Sequence, residues 1–471
     1  MGILTNSGAR NCQGRPTLNI FLERNEFQLK AVFFPEHEIG NRLTFDDALS
    51  INEKHPQVAV AIPFSDKGEK IFDEEQLKKR GIEVYHTHTP NRRSPDLSWL
   101  EGLDVVVIDL QDIGIRYYTY SASMLHMMSA CFNKGIEVMI LDRPNPLGNY
   151  IGGPLIHKNY LSFLGMIEGE PLFHGMTIAE KARYVKMRKK DFEMQCQCGA
   201  KDCYHSAFCS ARNLEKGKLT VIKMRGWHRQ KTLTQLGLYD NDSSIALSPH
   251  IQDVASIFDY AIISLATLVN NGSIGFLTMV KLPQSQRFFQ YISTVLPVTE
   301  VLNKVKKECP DTKGCTLTPI NCNGQDYLEL SVDDISKTTP ALLSLIFIAQ
   351  AQEWVSKRDW EDFEKMFSST QSPQSTSVST NTSSSKVTLI RTGNHQRNFE
   401  ALTLKQQDAL RRMKWDRLTK LQKEQFRKHM GDEEMIDKLF NGELIDIDYF
   451  NEKWKNAAIK FHNETKKYYL Y

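Results

Sequence analysis

Short apolar runs alternate with longer polar or amphipathic segments over the first third of the chain. Runs of this length and composition are typical of strands that are buried on both faces of a parallel sheet. The runs are Ile3–Leu4, Ala31–Phe34, Ile82–Tyr85, Val105–Ile108 and Val138–Leu141. A helical pattern from Ala122 to Asn133 separates the last two runs. Strands that alternate with helices predict βαβ units, and therefore an α/β fold with a parallel sheet.

Acidic residues follow three of these runs at or near the point where each predicted strand ends. They are Glu36, after Phe34 and Pro35, then Asp109 and Asp142. Because the carboxyl ends of parallel strands share one edge of a sheet, we expect the three acids to converge there. Ligands of open α/β sheets bind at this edge.

The stretch from Val105 to Tyr120 is the most informative part of the sequence. Its apolar start is followed by Gln111, Asp112, Arg116 and Tyr118. We interpret these polar residues as one wall of a pocket. The alternative is an Asp–Arg pair that only holds a loop in place, since structural ion pairs also occur at strand ends.

The sequence supports neither a nucleotide cofactor nor a metal. No glycine fingerprint of the GxGxxG type follows any predicted strand. The spacing of the cysteines between residues 196 and 209, with His205 among them, fits no common structural zinc pattern. We therefore expect free thiols there and no cofactor.

The middle of the chain predicts further elements of both kinds. Thr177 and Glu180 have the spacing of a capping box at the start of a helix. His174, just before that helix, either points into a cleft or is a scaffold histidine. Leu219–Met224 predicts a strand, and two later apolar segments, 261–269 and 341–351, predict buried helices.

The last hundred residues differ in composition from the rest. Ser368–Lys386 is almost entirely polar and predicts a disordered linker. Lys405–His429 carries nine basic residues against three acids, which favours a solvated helix face over a nucleic-acid patch. Phe450, Trp454, Ala457 and Phe461 recur at helical spacing behind a candidate N-cap, Asp448, and predict a final helix that docks on the body.

Length and composition set broad bounds on the protein. The 471 residues, with 41% hydrophobic and 24% charged residues and a net charge of +3, indicate a globular protein of more than one domain. We expect neither nucleic acid nor membrane as a partner, because no patch or apolar run supports one. The first residues lack the pattern of a signal peptide, and nine unevenly spread cysteines suggest no disulfide framework, so a cytoplasmic location is expected.

An ordered series of motifs in this chain resembles the NamZ-type exo-β-N-acetylmuramidases, glycoside hydrolase family 171. The matching stretches are Phe34–His37, Asp109–Gly114, Arg116–Tyr120, Leu141–Leu147, Gly153–Pro154, His174–Thr177, Gly226–Trp227 and Tyr469–Tyr471. The series spans nearly the whole chain except Ser368 to about His429, which has the character of an insertion.

The resemblance implies a Rossmann-like domain without a dinucleotide, and a smaller α+β domain that closes a cleft over it. We place the first domain at residues 1–165 and the second at 166–367. A linker with a basic helical insertion then occupies 368–430, and a C-terminal helical segment occupies 431–471. The insertion is a candidate surface for a protein partner.

The resemblance also implies hydrolysis of N-acetylmuramic acid from the non-reducing end of peptidoglycan fragments, so the expected partner is a small amino sugar or muropeptide. Such chemistry needs an acid that protonates the leaving oxygen, and usually a second carboxylate. Glu36 matches the glutamate of the Pro-Glu-His motif, and its position after an apolar strand favours a raised pKa. Asp109 or Asp112 would be the second carboxylate.

The remaining candidate residues would bind the sugar. Arg116 suits the lactyl carboxylate of muramic acid, because a guanidinium binds carboxylates in a bidentate way. The other candidates for substrate contacts are His37, Gln111, Tyr118, Arg143, Asn145, His174 and Asn271.

The chain also departs from the family pattern at several positions. Glu38 replaces a glycine beside the proposed acid, Leu268 and Ile274 replace glutamates, and Phe276 replaces an arginine. Two hypotheses therefore stay open: a glycosidase, and a catalytically silent relative that binds a sugar or a protein partner.

Overall fold

The computed structural model describes most of the chain, with gaps. The described residues are 1–36, 74–88, 93–187, 216–231, 233, 247, 251, 253–270, 277–280, 291–294, 298–308, 314–322, 324–332, 334–353, 377–378, 387–388, 411–412, 415–416 and 418–471.

A six-stranded parallel sheet forms the first layer of the fold. Its strands are Gly2–Thr5 (β1), Ala31–Phe34 (β2), Glu83–His86 (β3), Val105–Asp109 (β4), Glu137–Leu141 (β5) and, after an antiparallel pair, Leu219–Ile222 (β8). The order across the sheet is β3-β2-β1-β4-β5-β8, and all neighbours are parallel. The predicted α/β fold with a parallel sheet is confirmed.

Alternate side chains of the central strands enter different cores. Val106 and Ile108 lie in the large core on one face of the sheet, while Val107 joins Ile3 and Val32 in a smaller core on the other face. Burial on both faces explains why these strands are continuous apolar runs.

Helices cover both faces of the sheet and connect it to the rest of the chain. They are Thr17–Leu22 (α1), Glu74–Lys79 (α2), Tyr120–Asn133 (α3) and Ile178–Met187 (α4). The predicted capping box at the start of α4 is present: the Thr177 N–H donates to Glu180 Oε2 (3.0 Å), and the Glu180 N–H donates to Thr177 Oγ1 (3.2 Å).

An antiparallel sheet with three helices forms the second layer. Its strands are Leu277–Val280 (β9), Tyr291–Thr294 (β10), Cys315–Cys322 (β11) and Gln325–Val332 (β12), in the order β11-β12-β10-β9. The helices are Val254–Asn270 (α5), Val298–Glu308 (α6) and Pro340–Glu353 (α7). The two helices predicted at 261–269 and 341–351 are thus present; α5 begins well before its predicted start, and α7 extends slightly beyond both predicted ends.

Two strand pairings extend across the boundary expected at residue 165. β8 joins the parallel sheet beside β5, so that sheet continues beyond residue 165. Between them, Ile151–Leu155 (β6) and Pro171–His174 (β7) form an antiparallel pair. Sheet membership depends on long-range pairing, which the local pattern of the chain does not encode.

The C-terminal part of the chain packs as three helices. They are Lys420–Met430 (α8), Glu433–Asn441 (α9) and Ile447–Thr465 (α10). α8 packs against α5, and its Phe426 and Met430 are buried, so one face of this basic helix belongs to the body of the protein. Two short strands, Ser377–Val378 (β13) and Val387–Thr388 (β14), form an antiparallel pair that precedes it in the chain.

The last helix docks as predicted, with two corrections. Phe450, Trp454 and Phe461 are buried, but the small residue beside them is Ala458 rather than Ala457. The N-cap is Asp446, whose side chain accepts a hydrogen bond from the Tyr449 N–H, and Asp448 lies in the first turn. None of the helices in the described part of the chain has the length and apolar character needed to cross a bilayer.

We expect Trp454→Ala to lower the free energy of unfolding by about 3–5 kcal/mol. Trp454 is buried, and its Nε1 donates to Asp432 Oδ2 (3.1 Å), so the substitution leaves both a cavity and an unpaired acceptor. Urea unfolding measures the loss. Ile459→Ala, on the exposed face of the same helix, is the control and should stay within about 0.5 kcal/mol of the wild type. Equal effects of the two substitutions would contradict the docking of α10.

Candidate active site

The three predicted acids lie at the carboxyl edge of the parallel sheet. Glu36 follows β2, Asp109 ends β4, and Asp142 follows β5. β4 and β5 are neighbours, whereas β1 lies between β2 and β4. The surroundings of the three carboxyl groups differ sharply and give them different roles.

Asp109 forms a buried ion pair with Arg143. The Arg143 Nε donates to Oδ1, and its Nη2 donates to Oδ2 (2.9 Å), so both carboxylate oxygens are engaged. Arg143 also donates to the carbonyl of Arg10 (2.9 Å) and to Thr17 Oγ1 (3.3 Å). An Asp–Arg pair therefore holds this edge, as the alternative interpretation of the Val105–Tyr120 stretch expected. Its arginine, Arg143, comes from outside that stretch, and the role of the pair is structural.

Asp142 accepts hydrogen bonds from residues at the start of α4. It accepts hydrogen bonds from Thr177 Oγ1 (2.7 Å), the Ala179 N–H (3.1 Å) and the Tyr471 hydroxyl (3.0 Å). Burial raises the pKa of Asp142 to about 6, although these donors oppose the shift. The acid joins the helix and the C-terminal residue to the sheet edge.

Glu36 is the exposed member of the three. Its side chain retains 33% of its exposure, while that of Asp109 has none. Glu36 Oε2 accepts a hydrogen bond from Thr119 Oγ1 (2.7 Å) and lies 2.9 Å from His88 Nδ1. Thr119 is the N-cap of α3 but makes no side-chain hydrogen bond to that helix. Its hydroxyl instead contacts the carboxylate.

Asp112 and His174 form a second polar pair. His174 Nδ1 accepts a hydrogen bond from the Met176 N–H (3.2 Å), so the neutral ring carries its proton on Nε2. That nitrogen lies 3.8 Å from Asp112 Oδ2, which accepts from the Gly114 N–H (3.2 Å). Within the described residues, His174 Nε2 and Asp112 Oδ1 have no hydrogen-bond partner.

Tyr120 lies near the carboxyl groups of Glu36 and Asp112. Burial raises the pKa of its phenol above the ordinary value, and the charges of Glu36 and Asp112 add to the shift. Tyr118 packs against the Tyr120 ring, with centroids 4.8 Å apart. The two acids and the two phenols therefore occupy one region of the edge.

Two of the predicted binding residues instead hold the backbone. Gln111 Nε2 donates to the carbonyls of Asp112 (2.7 Å) and Pro144 (3.0 Å). Asn145 Nδ2 donates to the carbonyl of Met176 (3.0 Å). These bonds join the segments that follow β4, β5 and β7.

Arg116 is directed into the protein. It is 1% exposed, and its Nη2 donates to the carbonyls of His429 (2.9 Å) and Met430 (3.2 Å) at the end of α8. Burial lowers its pKa to about 10, so it stays charged at neutral pH. A cation at a helix C-terminus is favourable. Arg116 therefore docks α8 on the sheet edge.

Sequence reasoning missed three residues of this region. His88 follows β3 at the same edge, so the rule that found the acids applies to it as well. Tyr260 on α5 and His429 on α8 have no such signal, because other layers bring them there. Burial lowers the pKa of His429 to about 4, and the Glu36 charge acts on both residues.

Some predicted residues lie outside the described part of the chain. They are His37, Asn271 and the cysteine segment 196–209. Among the residues that are described, no group of three His, Cys, Asp or Glu side chains is arranged to hold a metal ion.

The geometry thus defines an α/β protein with a polar site at the carboxyl edge of a parallel sheet. Solved structures share this fold. A DUF1343 family protein from Bacteroides fragilis superposes with a TM-score of 0.63 at 19% identity, covering 100% of this chain and 93% of the other. A second from the same organism gives a TM-score of 0.52 at 18% identity, with the same coverage.

Sequence comparison supports the NamZ-type family. Residues 61–254 match the family model described as exo-beta-N-acetylmuramidase NamZ, N-terminal. The chain is also 30% identical over 261 residues to the peptidoglycan beta-N-acetylmuramidase NamZ of Bacillus subtilis. That alignment covers 55% of this chain and 50% of the relative, so the chain spans about half the length of that protein. The family resemblance of the motifs is confirmed.

We expect Asp109→Asn to lower the free energy of unfolding by about 3–5 kcal/mol, because it leaves Arg143 largely buried without its counter-charge. Guanidinium unfolding monitored by fluorescence measures the change. The control is Asp104→Asn, at the exposed position just before the same strand, which should shift stability by less than about 0.5 kcal/mol. A wild-type stability in Asp109→Asn would show that the pair is dispensable to the scaffold.

The raised pKa of Asp142 predicts that the free energy of unfolding depends on pH. Its pKa of about 6 in the folded state exceeds the unfolded value of about 3.9, so its contribution is complete below pH 4 and is lost as the pH rises through 6. Relative to Asp142→Asn, the wild type should lose about 2 kcal/mol of unfolding free energy between pH 4 and 7. Urea titrations of both proteins at each pH test this. A constant difference would refute the raised pKa.

Proposed function

We propose that this chain is a glycoside hydrolase that releases N-acetylmuramic acid from the non-reducing end of peptidoglycan fragments, with Glu36 as its general acid. The similarity to a curated peptidoglycan muramidase supports the reaction class. The position of Glu36 supports its role: it is the partly exposed carboxyl group among the three acids at the sheet edge.

Glu36 would give its proton to the glycosidic oxygen. The bond between the anomeric carbon and that oxygen breaks, and its electron pair stays on the oxygen that becomes the leaving hydroxyl. Water supplies the oxygen that ends on the anomeric carbon and releases one proton, which restores Glu36. A second carboxylate would act on the other side of the sugar ring, as a base or nucleophile or by stabilising the positive charge that develops there.

Asp112 suits this second role better than Asp109. Both oxygens of Asp109 are engaged by Arg143, whereas Asp112 Oδ1 is unpartnered within the described residues. Asp112 and Glu36 both act on the pKa of Tyr120, which lies near the two acids. The Nε2–H of His174, beside Asp112, would donate a hydrogen bond to a sugar oxygen.

Arg116 contributes indirectly in this proposal. Its guanidinium binds the C-terminal carbonyls of α8, and through them it positions His429 near Glu36. Recognition of the lactyl carboxylate would then fall to other groups.

A second candidate function is sugar binding without hydrolysis. It is favoured by Leu268, Ile274 and Phe276, which stand where the family resemblance places charged residues. Such a protein would bind N-acetylmuramic acid and release no product.

Substitution of Glu36→Gln tests the role of the acid with two substrates. A muramyl disaccharide needs protonation of its leaving oxygen, whereas 4-nitrophenolate leaves without it. We expect kcat/KM for the disaccharide to fall about 10²- to 10⁴-fold, and that for the nitrophenyl muramide to fall much less.

Glu101→Gln, an exposed acid at the opposite edge of the sheet, is the matched control and should keep wild-type turnover. Equal losses on both substrates would remove Glu36 from the acid role. A wild-type protein that binds the sugar in calorimetry but releases nothing would establish the second candidate function.

A further inference from the structure

His88 contacts the proposed acid from a strand that the family motifs do not include. It lies two residues after β3, and its Nδ1 is 2.9 Å from Glu36 Oε2. Its side chain is only 6% exposed, and its ring packs on Phe163 with centroids 4.9 Å apart.

The backbone holds His88 and Glu36 in fixed relation. Thr87, which precedes His88, donates two hydrogen bonds to the carbonyl of Phe34, from its N–H (2.9 Å) and from Oγ1 (2.9 Å). Phe34 is the last residue of β2 and stands two residues before Glu36. The segment that carries the imidazole is thus joined to the end of the strand that carries the acid.

Two polar groups lie within 3 Å of one oxygen of Glu36. Oε2 accepts the hydrogen bond of Thr119 Oγ1 and faces His88 Nδ1. The imidazole N–H is not aimed straight at Oε2, and catalytic hydrogen bonds in unliganded sites are often poorly aligned and tighten when substrate binds. Because Thr119 donates to Oε2 and His88 Nδ1 lies beside the same oxygen, a proton of neutral Glu36 placed on Oε1 leaves this arrangement intact.

We propose that His88 is a positioning residue for Glu36: with Thr119 it holds Oε2, directs the acidic proton to Oε1, and stabilises the carboxylate left after proton transfer. This inference rests on the proposed function. A hydrogen bond from His88 would form or tighten as Glu36 loses its proton, because it would then be charge-assisted and stronger after the transfer than before it.

Other titratable groups also face Glu36. They are Tyr120 on α3, Tyr260 on α5 and His429 on α8, and the charge of Glu36 acts on the pKa of each. The described neighbours of His88 include no second carboxylate in an ion pair with it.

Two substitutions separate the hydrogen bond from the packing. His88→Phe keeps a ring on Phe163 and removes the donor, whereas His88→Asn keeps a donor near the place of Nδ1 and removes the ring. We expect His88→Phe to lower kcat for the muramyl disaccharide about 10- to 100-fold with little change in KM. His88→Asn should stay within a few-fold of the wild type.

The pH profile gives a second readout. Loss of a donor to the carboxylate raises the pKa of Glu36, so the alkaline limb of kcat/KM should move to higher pH in His88→Phe and less so in His88→Asn. A greater loss in His88→Asn than in His88→Phe, with no displaced limb in either, would show a packing role and overturn the proposal.

A titration that needs no turnover separates this proposal from the proposed function. The carboxyl ¹³C resonance of Glu36, assigned by its absence in Glu36→Gln, reports the pKa directly. We expect a higher midpoint in His88→Phe than in the wild type even if the protein hydrolyses no muramide. An unchanged midpoint would overturn the role of His88.

Thr119→Val extends the test should His88→Phe fail to fold. It removes the other Oε2 donor without removing a helix cap, since the Thr119 hydroxyl does not cap α3. The Glu36 midpoint should again rise, and an unchanged midpoint would refute the convergence of donors on Oε2.

Discussion

The ion pair between Asp109 and Arg143 is the contact on which the sheet edge depends. It joins the ends of β4 and β5, and Arg143 extends the connection to Arg10 and Thr17, which follow β1. Taking a carboxylate and a guanidinium out of water is costly unless both are well paired. Here the pairing is bidentate, so three neighbouring strand ends are held at fixed positions.

The remaining polar residues divide into those that build this edge and those that face the site. Gln111, Asn145 and Asp142 form hydrogen bonds with backbone groups, in the case of Asp142 at the start of α4. Glu36 stays partly exposed, and Asp112 Oδ1 has no hydrogen-bond partner within the described residues. A rigid edge of this kind suits catalysis, because a misplaced acid loses much of its effect.

The C-terminal helices complete the site from a distant part of the sequence. Arg116 carries a buried charge that the carbonyls at the end of α8 stabilise, and this contact brings His429 to the region of Glu36. The basic composition of this segment suggested an insertion with a solvated face. Its burial of Phe426 and Met430 makes that description correct only for the outward side of the helix.

The sequence by itself predicted the apolar strands, the capping box at Thr177, the docking face of the last helix and the sheet edge at which the three acids lie. Each of these follows from local periodicity or from the common direction of parallel strands. Only the tertiary structure decided which acid is paired by Arg143, which caps a helix and which stays partly exposed. It also decided that His88 and Thr119 contact Glu36, and that His429 lies close enough for the charge of Glu36 to act on its pKa. These outcomes depend on contacts between residues far apart in the chain, and burial and hydrogen bonding set the state of a carboxyl group only after those contacts form.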